Sequence, residues 1–321
     1  TGGTIAATRD GLVAYAADKA VVVVSLDDPD GSHGSRQILS GHAEAVTCVA
    51  FSECGTELVT AQKGPFPCVS VYRAASTGEK NETDENATFV LRASFRASCA
   101  SATELALARR KGGGTRLALL GETPAGSFQT ASIELWDWDY VTTLNAPPAK
   151  IFSSVLREIT RATCVAFSPD RDDRAFVCGD GFITEATLAL DRASRSMRLI
   201  EKPVCFKDLD LDSLGDEVSA DGRKQSEPRS PRAFTTLAFL SERTSEESDA
   251  NEKQTVSLFV GTRRGIVARF AVLDDDSDGD SDDPHAACAP ECAFRLHDDA
   301  VASLAFFSED DRRFAATASA D

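Results

Sequence analysis

Ala45-Val-Thr-Cys-Val-Ala-Phe-Ser52 returns as Ala162-Thr-Cys-Val-Ala-Phe-Ser168, Phe234-Thr-Thr-Leu-Ala-Phe239 and Ala300-Val-Ala-Ser-Leu-Ala-Phe-Phe-Ser308, with a degenerate copy at Ala102-Thr-Glu-Leu-Ala-Leu-Ala108. Each copy is a short apolar run rich in Val, Thr and Phe, of strand length. A polar turn and a second run follow: Glu57-Leu-Val-Thr-Ala61, Arg116-Leu-Ala-Leu-Leu120, Arg174-Ala-Phe-Val-Cys178, Val256-Ser-Leu-Phe-Val260 and Phe314-Ala-Ala-Thr-Ala318. Third runs come next, as in Val69-Ser-Val-Tyr72 and Ile266-Val-Ala-Arg-Phe270, and weaker fourth runs such as Phe89-Val-Leu-Arg92 close the units. Strand, turn, strand, turn, strand, loop, strand is one blade of a β-propeller. A β-sandwich also has short strands with turns between them, but it needs no recurring phrase.

The fold class read from this pattern is all-β, a propeller of four-stranded blades, incomplete or part of a larger seven-bladed or tandem propeller. The boundaries follow the phrase: a partial blade over 1–41, fuller blades over about 42–96, 97–157, 158–204 and 205–296, and a truncated blade over 297–321. The sequence begins at Thr1 and stops at Asp321 inside a repeat, so it reads as an excerpt of a longer chain.

Particular residues carry a resemblance to a family. Ser40-Gly41-His42, Ala45-Val46, Phe51-Ser52 and Leu135-Trp136-Asp137 resemble the WD40 repeat, and 297–321 resembles a second copy. In that family a histidine before the first strand bonds an aspartate in the turn after the second, supported by a Ser/Thr and a Trp. The resemblance assigns such structural roles to His42, Trp136, Asp137, His297, Ser319 and Asp321. The turn after His42 departs from the pattern, reading Gln62-Lys63-Gly64 with no aspartate. These histidines are therefore expected to be structural and not catalytic.

First-strand spacings of about 55 to 70 residues exceed the usual WD40 period, and insertions account for the excess. Segments 76–88, 241–254 and 274–284 carry −3, −3 and −7, most of the chain's net −17. With 207–232 they are polar and poor in aromatics, a composition that favours disorder. The remaining loops carry apolar and cationic groups: Phe66 between two prolines, Phe128, Phe182 after a glycine, and Arg263 and Arg264 in a tight turn. Aromatic residues and arginine are common interface anchors, so these five are the candidate partner-binding residues.

With 34 basic against 51 acidic residues, an extended phosphate-binding surface or adsorption to anionic membranes is disfavoured. The apolar runs are too short to span a membrane. Nine irregularly spaced cysteines fit a reducing compartment better than a disulfide framework. Cys288 and Cys292 with His285 lack the spacing of a zinc site, and Lys111-Gly-Gly-Gly114 lacks the end of a phosphate loop. No catalytic residue, cofactor or metal is assigned, and the chain reads as a non-enzyme.

Two functional readings remain. Val59-Thr-Ala-Gln-Lys-Gly-Pro-Phe-Pro-Cys-Val-Ser-Val-Tyr72 replaces the common Asp-Gly turn with a proline-bearing excursion, and Leu135-Trp-Asp-Trp138 follows later. Both are similar to EMAP-like and cilia- and flagella-associated WD-repeat proteins. That resemblance implies a scaffold in an axonemal complex, in the cytoskeleton of the cilium or flagellum, with tubulin, dynein or other axonemal subunits as partners. The alternative is a soluble adaptor of another kind, such as a ubiquitin-ligase substrate receptor or an RNA-processing assembly factor.

Overall fold

The computed structural model describes residues 5–8, 11–26, 36–75, 88–123, 130–139, 146–156, 161–191, 196–204, 209, 211, 233–244, 253–272, 288–309 and 312–319. Every regular element among them is a strand. The chain divides into two compact units, Thr1–Arg161 and Ala162–Asp321.

The first unit holds three antiparallel four-stranded meanders. They are β1 (Ile5–Ala7), β2 (Leu12–Ala17), β3 (Ala20–Ser25) and β4 (Arg36–Leu39); β5 (Val46–Phe51), β6 (Glu57–Gln62), β7 (Cys68–Ala74) and β8 (Phe89–Arg96); and β9 (Ser101–Arg109), β10 (Thr115–Glu122), β11 (Ala131–Asp139) and β12 (Ala146–Val155). The first 41 residues, expected to hold a partial blade, thus form a full sheet. Its β1 is only Ile-Ala-Ala, too short and too small to carry the recurring phrase.

The second unit holds β13 (Ala162–Phe167), β14 (Arg174–Gly179), β15 (Phe182–Asp191) and β16 (Ser196–Pro203); β17 (Phe234–Thr244), β18 (Lys253–Thr262), β19 (Ile266–Val272) and β20 (Cys288–Arg295); and a two-stranded pair, β21 (Val301–Glu309) and β22 (Arg312–Ser319). Strands β17 and β18 run into 241–254, which composition alone had given entirely to an insert. Most of 207–232 lies outside the described residues, as do 76–87 and 274–284. Leu209 and Leu211, however, pack into the core of this unit.

Strand alternation explains how the sheets stack. Leu58, Tyr72 and Phe89 of the second sheet pack with Ala14, Val21 and Val23 of the first. Their neighbours Val59, Ala61, Val69 and Val71 point the other way, against Leu105, Leu117, Leu119 and Trp138 of the third. A residue's side chains alternate across a strand, so one sheet serves two apolar layers. Sheet β17–β20 does the same: Leu258, Val260 and Phe270 meet Phe176 and Ile183, while Val267 and Phe259 meet Val301 and Leu304. Each large apolar side chain buried this way contributes about 1.5–3 kcal/mol relative to exposure.

The threonine in the repeated phrase has a specific task. Thr47, Thr103, Thr163 and Thr235 sit where the ladders of β5, β9, β13 and β17 slip by one residue. Such a bulge leaves the extra residue unpaired and turns its side chain aside. Thr47 Oγ1 then donates to the Ala102 carbonyl of the next sheet (3.1 Å), Thr163 Oγ1 to Phe234 O (2.8 Å) and Thr235 Oγ1 to Val301 O (2.5 Å). These hydroxyls clamp the innermost strand of one sheet to that of its neighbour.

The structural histidines are seated much as the repeat implies, with substitutions. Buried His42 bonds Thr60 Oγ1 through Nε2 (2.7 Å) and Gln62 Oε1 through Nδ1 (3.3 Å). Gln62 Oε1 also accepts from the Ala43 N–H, so a neutral amide occupies the aspartate's place. His297 Nε2 bonds Thr317 Oγ1 (2.7 Å), so Thr317 supplies the hydroxyl expected from Ser319; Asp321 lies outside the described residues. Trp136 serves no histidine. Its Nε1 donates to Glu134 (3.1 Å), while Asp137 forms a bidentate pair with Arg116 (2.8 Å) and also meets Arg110 (3.3 Å).

Candidate protein-interaction site

In four of the sheets, the turn after the second strand lies beside the loop leading into the next sheet of the same unit, and backbone hydrogen bonds join them. Val46 N–H donates to Asp18 O (2.7 Å). Phe66 N–H donates to Cys99 O (3.0 Å) and Ala97 N–H to Pro67 O (3.1 Å). In the second unit Asp180 bridges Ala233, and Leu296 and His297 donate to Gly265 O. These loops are held by the scaffold, which is the usual arrangement for residues that bind.

Phe66 stands out in the first unit. Its φ is +53°, and the residue is 54% exposed. Proline followed by a positive-φ residue is the type II turn pattern, which normally takes glycine at that second place. A residue bearing a Cβ there costs about 1–3 kcal/mol. Phe66 therefore carries backbone strain as well as apolar exposure, and glycine would remove both.

The segment 97–99, bonded through its backbone to the Phe66 turn, is itself held by charged side chains. Lys150 Nζ on β12 donates to Ser98 Oγ (2.5 Å) and lies 5.6 Å from the Trp136 ring centroid. The ring of Phe95 packs on Trp136 at 4.1 Å between centroids. Beneath them the Glu134 carboxyl, 1% exposed, accepts from Ser98 N–H and Trp136 Nε1. Arg96 immediately precedes the segment, and Lys63 shares the Phe66 turn; both are exposed. Phe66 is a candidate from the sequence; these three cations, scattered over 88 positions, were not, and only the backbone bonds between the Phe66 turn and 97–99 and the Lys150–Ser98 bond bring their segments together.

The other candidate residues fall out as follows. Phe128 lies outside the described residues. Phe182 opens β15 and is half-buried, paired across the ladder with Gly179. Arg263 reaches Asp180 (3.5 Å), which places it at the same end of the second unit as Phe182. The Arg264 backbone is tied to Thr262 Oγ1 (3.3 Å), closing the tight turn.

Residues 34–64 match the WD domain, G-beta repeat (WD40) family. Among solved structures, the chain is similar to Sqt1 from Chaetomium thermophilum, at 14% identity and a TM-score of 0.53, covering 95% of this chain and 64% of that one. A structure of the same protein bound to the N-terminus of the ribosomal protein L10 matches with 15% identity and a TM-score of 0.51, covering 92% of this chain and 63% of that one. Sqt1 of Saccharomyces cerevisiae matches with 13% identity and a TM-score of 0.50, covering 98% of this chain and 79% of that one. The chain thus spans a little under two thirds of the Chaetomium chains it matches. A comparison with curated proteins returned no match. One matched repeat, five four-stranded antiparallel meanders and these likenesses together give the fold: the sheets are blades of a WD40-type β-propeller.

Proposed function

We propose that this chain is a non-enzymatic propeller adaptor that holds protein partners during the assembly of a larger complex. The observation that carries the reading is the WD40-type fold, whose similar structures include Sqt1 seen with the N-terminus of a ribosomal protein. The net charge of −17 adds to it, because it favours encounter with a basic client segment over an acidic one. The likenesses reported above favour an assembly adaptor over an axonemal tether.

Capture of the tagged full-length protein from cell extract at physiological salt separates the two. The adaptor reading expects a basic protein in stoichiometric amount. Tubulin or dynein subunits in its place would restore the axonemal reading and its location. No stoichiometric protein at all would refute both.

A further inference from the structure

We propose that the corner formed by Phe66, Lys63, Arg96 and Lys150 is a docking point for an acidic peptide segment that carries an apolar side chain. This goes beyond the adaptor reading, because it gives the protein a second partner surface of opposite chemistry to its acidic body.

Three observations carry it. The first is the exposed ring of Phe66, held at φ +53° where glycine would be free of strain. Strain of this kind persists only when the surroundings enforce it. The Phe66 and Ala97 N–H bonds across to Cys99 and Pro67 supply that enforcement. The ring is therefore presented outward on a fixed turn and is not a loose side chain that ordering would penalise.

The second is charge. Among the described residues, Lys63, Arg96 and Lys150 have no carboxylate partner; Lys150 is engaged by a hydroxyl and an aromatic face only. Many other described cations do have one: Arg110 and Arg116 hold Asp137, Arg174 holds Glu185, Arg269 holds Glu291 and Arg295 meets Asp298. In a chain with 17 more acidic than basic residues, three cations without an ion pair, carried by the Phe66 turn, by the residue preceding 97–99 and by the lysine that bonds Ser98, are complementary to an anionic partner. Two exposed acids border them: Glu44, next to the Ala45 carbonyl that accepts the Lys63 N–H, and Glu122, through the Ala100 N–H bond to its carbonyl.

The third is support. Ser98 is fixed from both sides, its N–H on Glu134 and its hydroxyl on Lys150, so the cationic head and the Phe66 turn rest on one tethered tripeptide. An apolar residue flanked by Asp or Glu fits this arrangement: its side chain covers the Phe66 ring while its neighbours meet Lys63, Arg96 and Lys150.

The test is fluorescence anisotropy with the full chain and three labelled probes: Glu-Glu-Leu-Phe-Glu-Glu, Lys-Lys-Leu-Phe-Lys-Lys and a single-stranded oligothymidylate of equal charge to the first. The inference expects the acidic peptide to bind best, with affinity falling at least about tenfold in Phe66→Gly and in Arg96→Glu, and falling with added salt. Arg96→Glu changes an exposed side chain, so it keeps the test readable if the glycine variant folds poorly. The proposal is overturned if the acidic peptide does not bind, if both variants bind it unchanged, or if the basic peptide or the oligonucleotide binds more tightly. Capture of a basic client is measured separately, so loss of that reading and loss of this one give different results.

Discussion

Replacing Trp138 by Phe tests how adjacent blades of the first unit are locked. Trp138 is 1% exposed, and its Nε1 lies 3.2 Å from both carboxyl oxygens of Glu57, itself 4% exposed on the neighbouring sheet. Thr115 also donates to Glu57. Phenylalanine keeps most of the ring but removes the donor. Losing a hydrogen bond to a charged group costs about 1.5–3 kcal/mol. The smaller ring leaves a void that adds about 1 kcal/mol at about 24 cal/mol per Å³. The expected loss is therefore about 3 kcal/mol, or a fall in Tm of about 6–12 °C for a unit of this size. Both tryptophans lie on β11, so urea unfolding followed by the fluorescence of the remaining Trp136 reads this unit alone. A double-mutant cycle with Glu57→Leu isolates the bond, and a coupling of at least about 1 kcal/mol is expected. Costs that simply add, or a Trp138→Phe loss below about 1 kcal/mol, would refute the interblade bond.

Three further outcomes are expected. Thr163→Val keeps side-chain shape but leaves Phe234 O without its clamp, and circular dichroism of the second unit should show a loss of about 1 kcal/mol; no loss would deny the bulged threonine its role. Burial pushes the Glu104 carboxyl up to about 7, so the folded state keeps a proton that the unfolded state releases near 4.5. Stability from this group is present below about pH 4.5 and is lost as pH rises through 7, so Glu104→Gln should match the native protein at pH 4 and exceed it by up to about 3 kcal/mol at pH 8. Burial pushes the thiols of Cys99 and Cys288 up to about 12 and that of Cys48 higher still. Burial also works upward on exposed Cys54, but hydrogen bonds with Ser52 and Thr56 outweigh it and lower its pKa. Alkylation of the native protein, read by mass spectrometry, should label Cys54 well before those three; equal labelling would contradict the packing.

Much of the fold was legible because propeller blades repeat the same packing problem. The Val-Thr-Cys-Val-Ala-Phe phrase marks an innermost strand that is apolar on both sides and bulged at its threonine, and that environment recurs at 47, 163 and 235. The first sheet escaped as a full blade because β1 needs only three small residues. The histidine seats were half legible. The sequence pointed to His42 as a seat, and the structure buries it against Thr60 and Gln62; Gln62 in the aspartate's place reads as a gap until its amide oxygen is seen accepting from both His42 and the Ala43 N–H. At Trp136 a buried glutamate two residues earlier on the same strand face takes the ring N–H, a partner the Leu-Trp-Asp pattern does not announce. At the candidate site, Phe66 was visible from its flanking prolines. Its positive φ and the backbone bonds of its turn to 97–99, beside Arg96 and Lys150, depend on sheet register, which no local pattern in the sequence encodes.

Calorimetry of Phe66→Gly, with and without the acidic peptide, tests the account's central claim that this ring is kept for binding at a cost to the fold. The account predicts a Tm equal to or above that of the native protein, since relieved strain of about 1–3 kcal/mol outweighs glycine's entropic cost of about 0.5–1 kcal/mol, together with loss of the peptide's stabilising shift. A clear fall in Tm with the peptide shift intact would contradict it and return Phe66 to the ordinary structure of the turn.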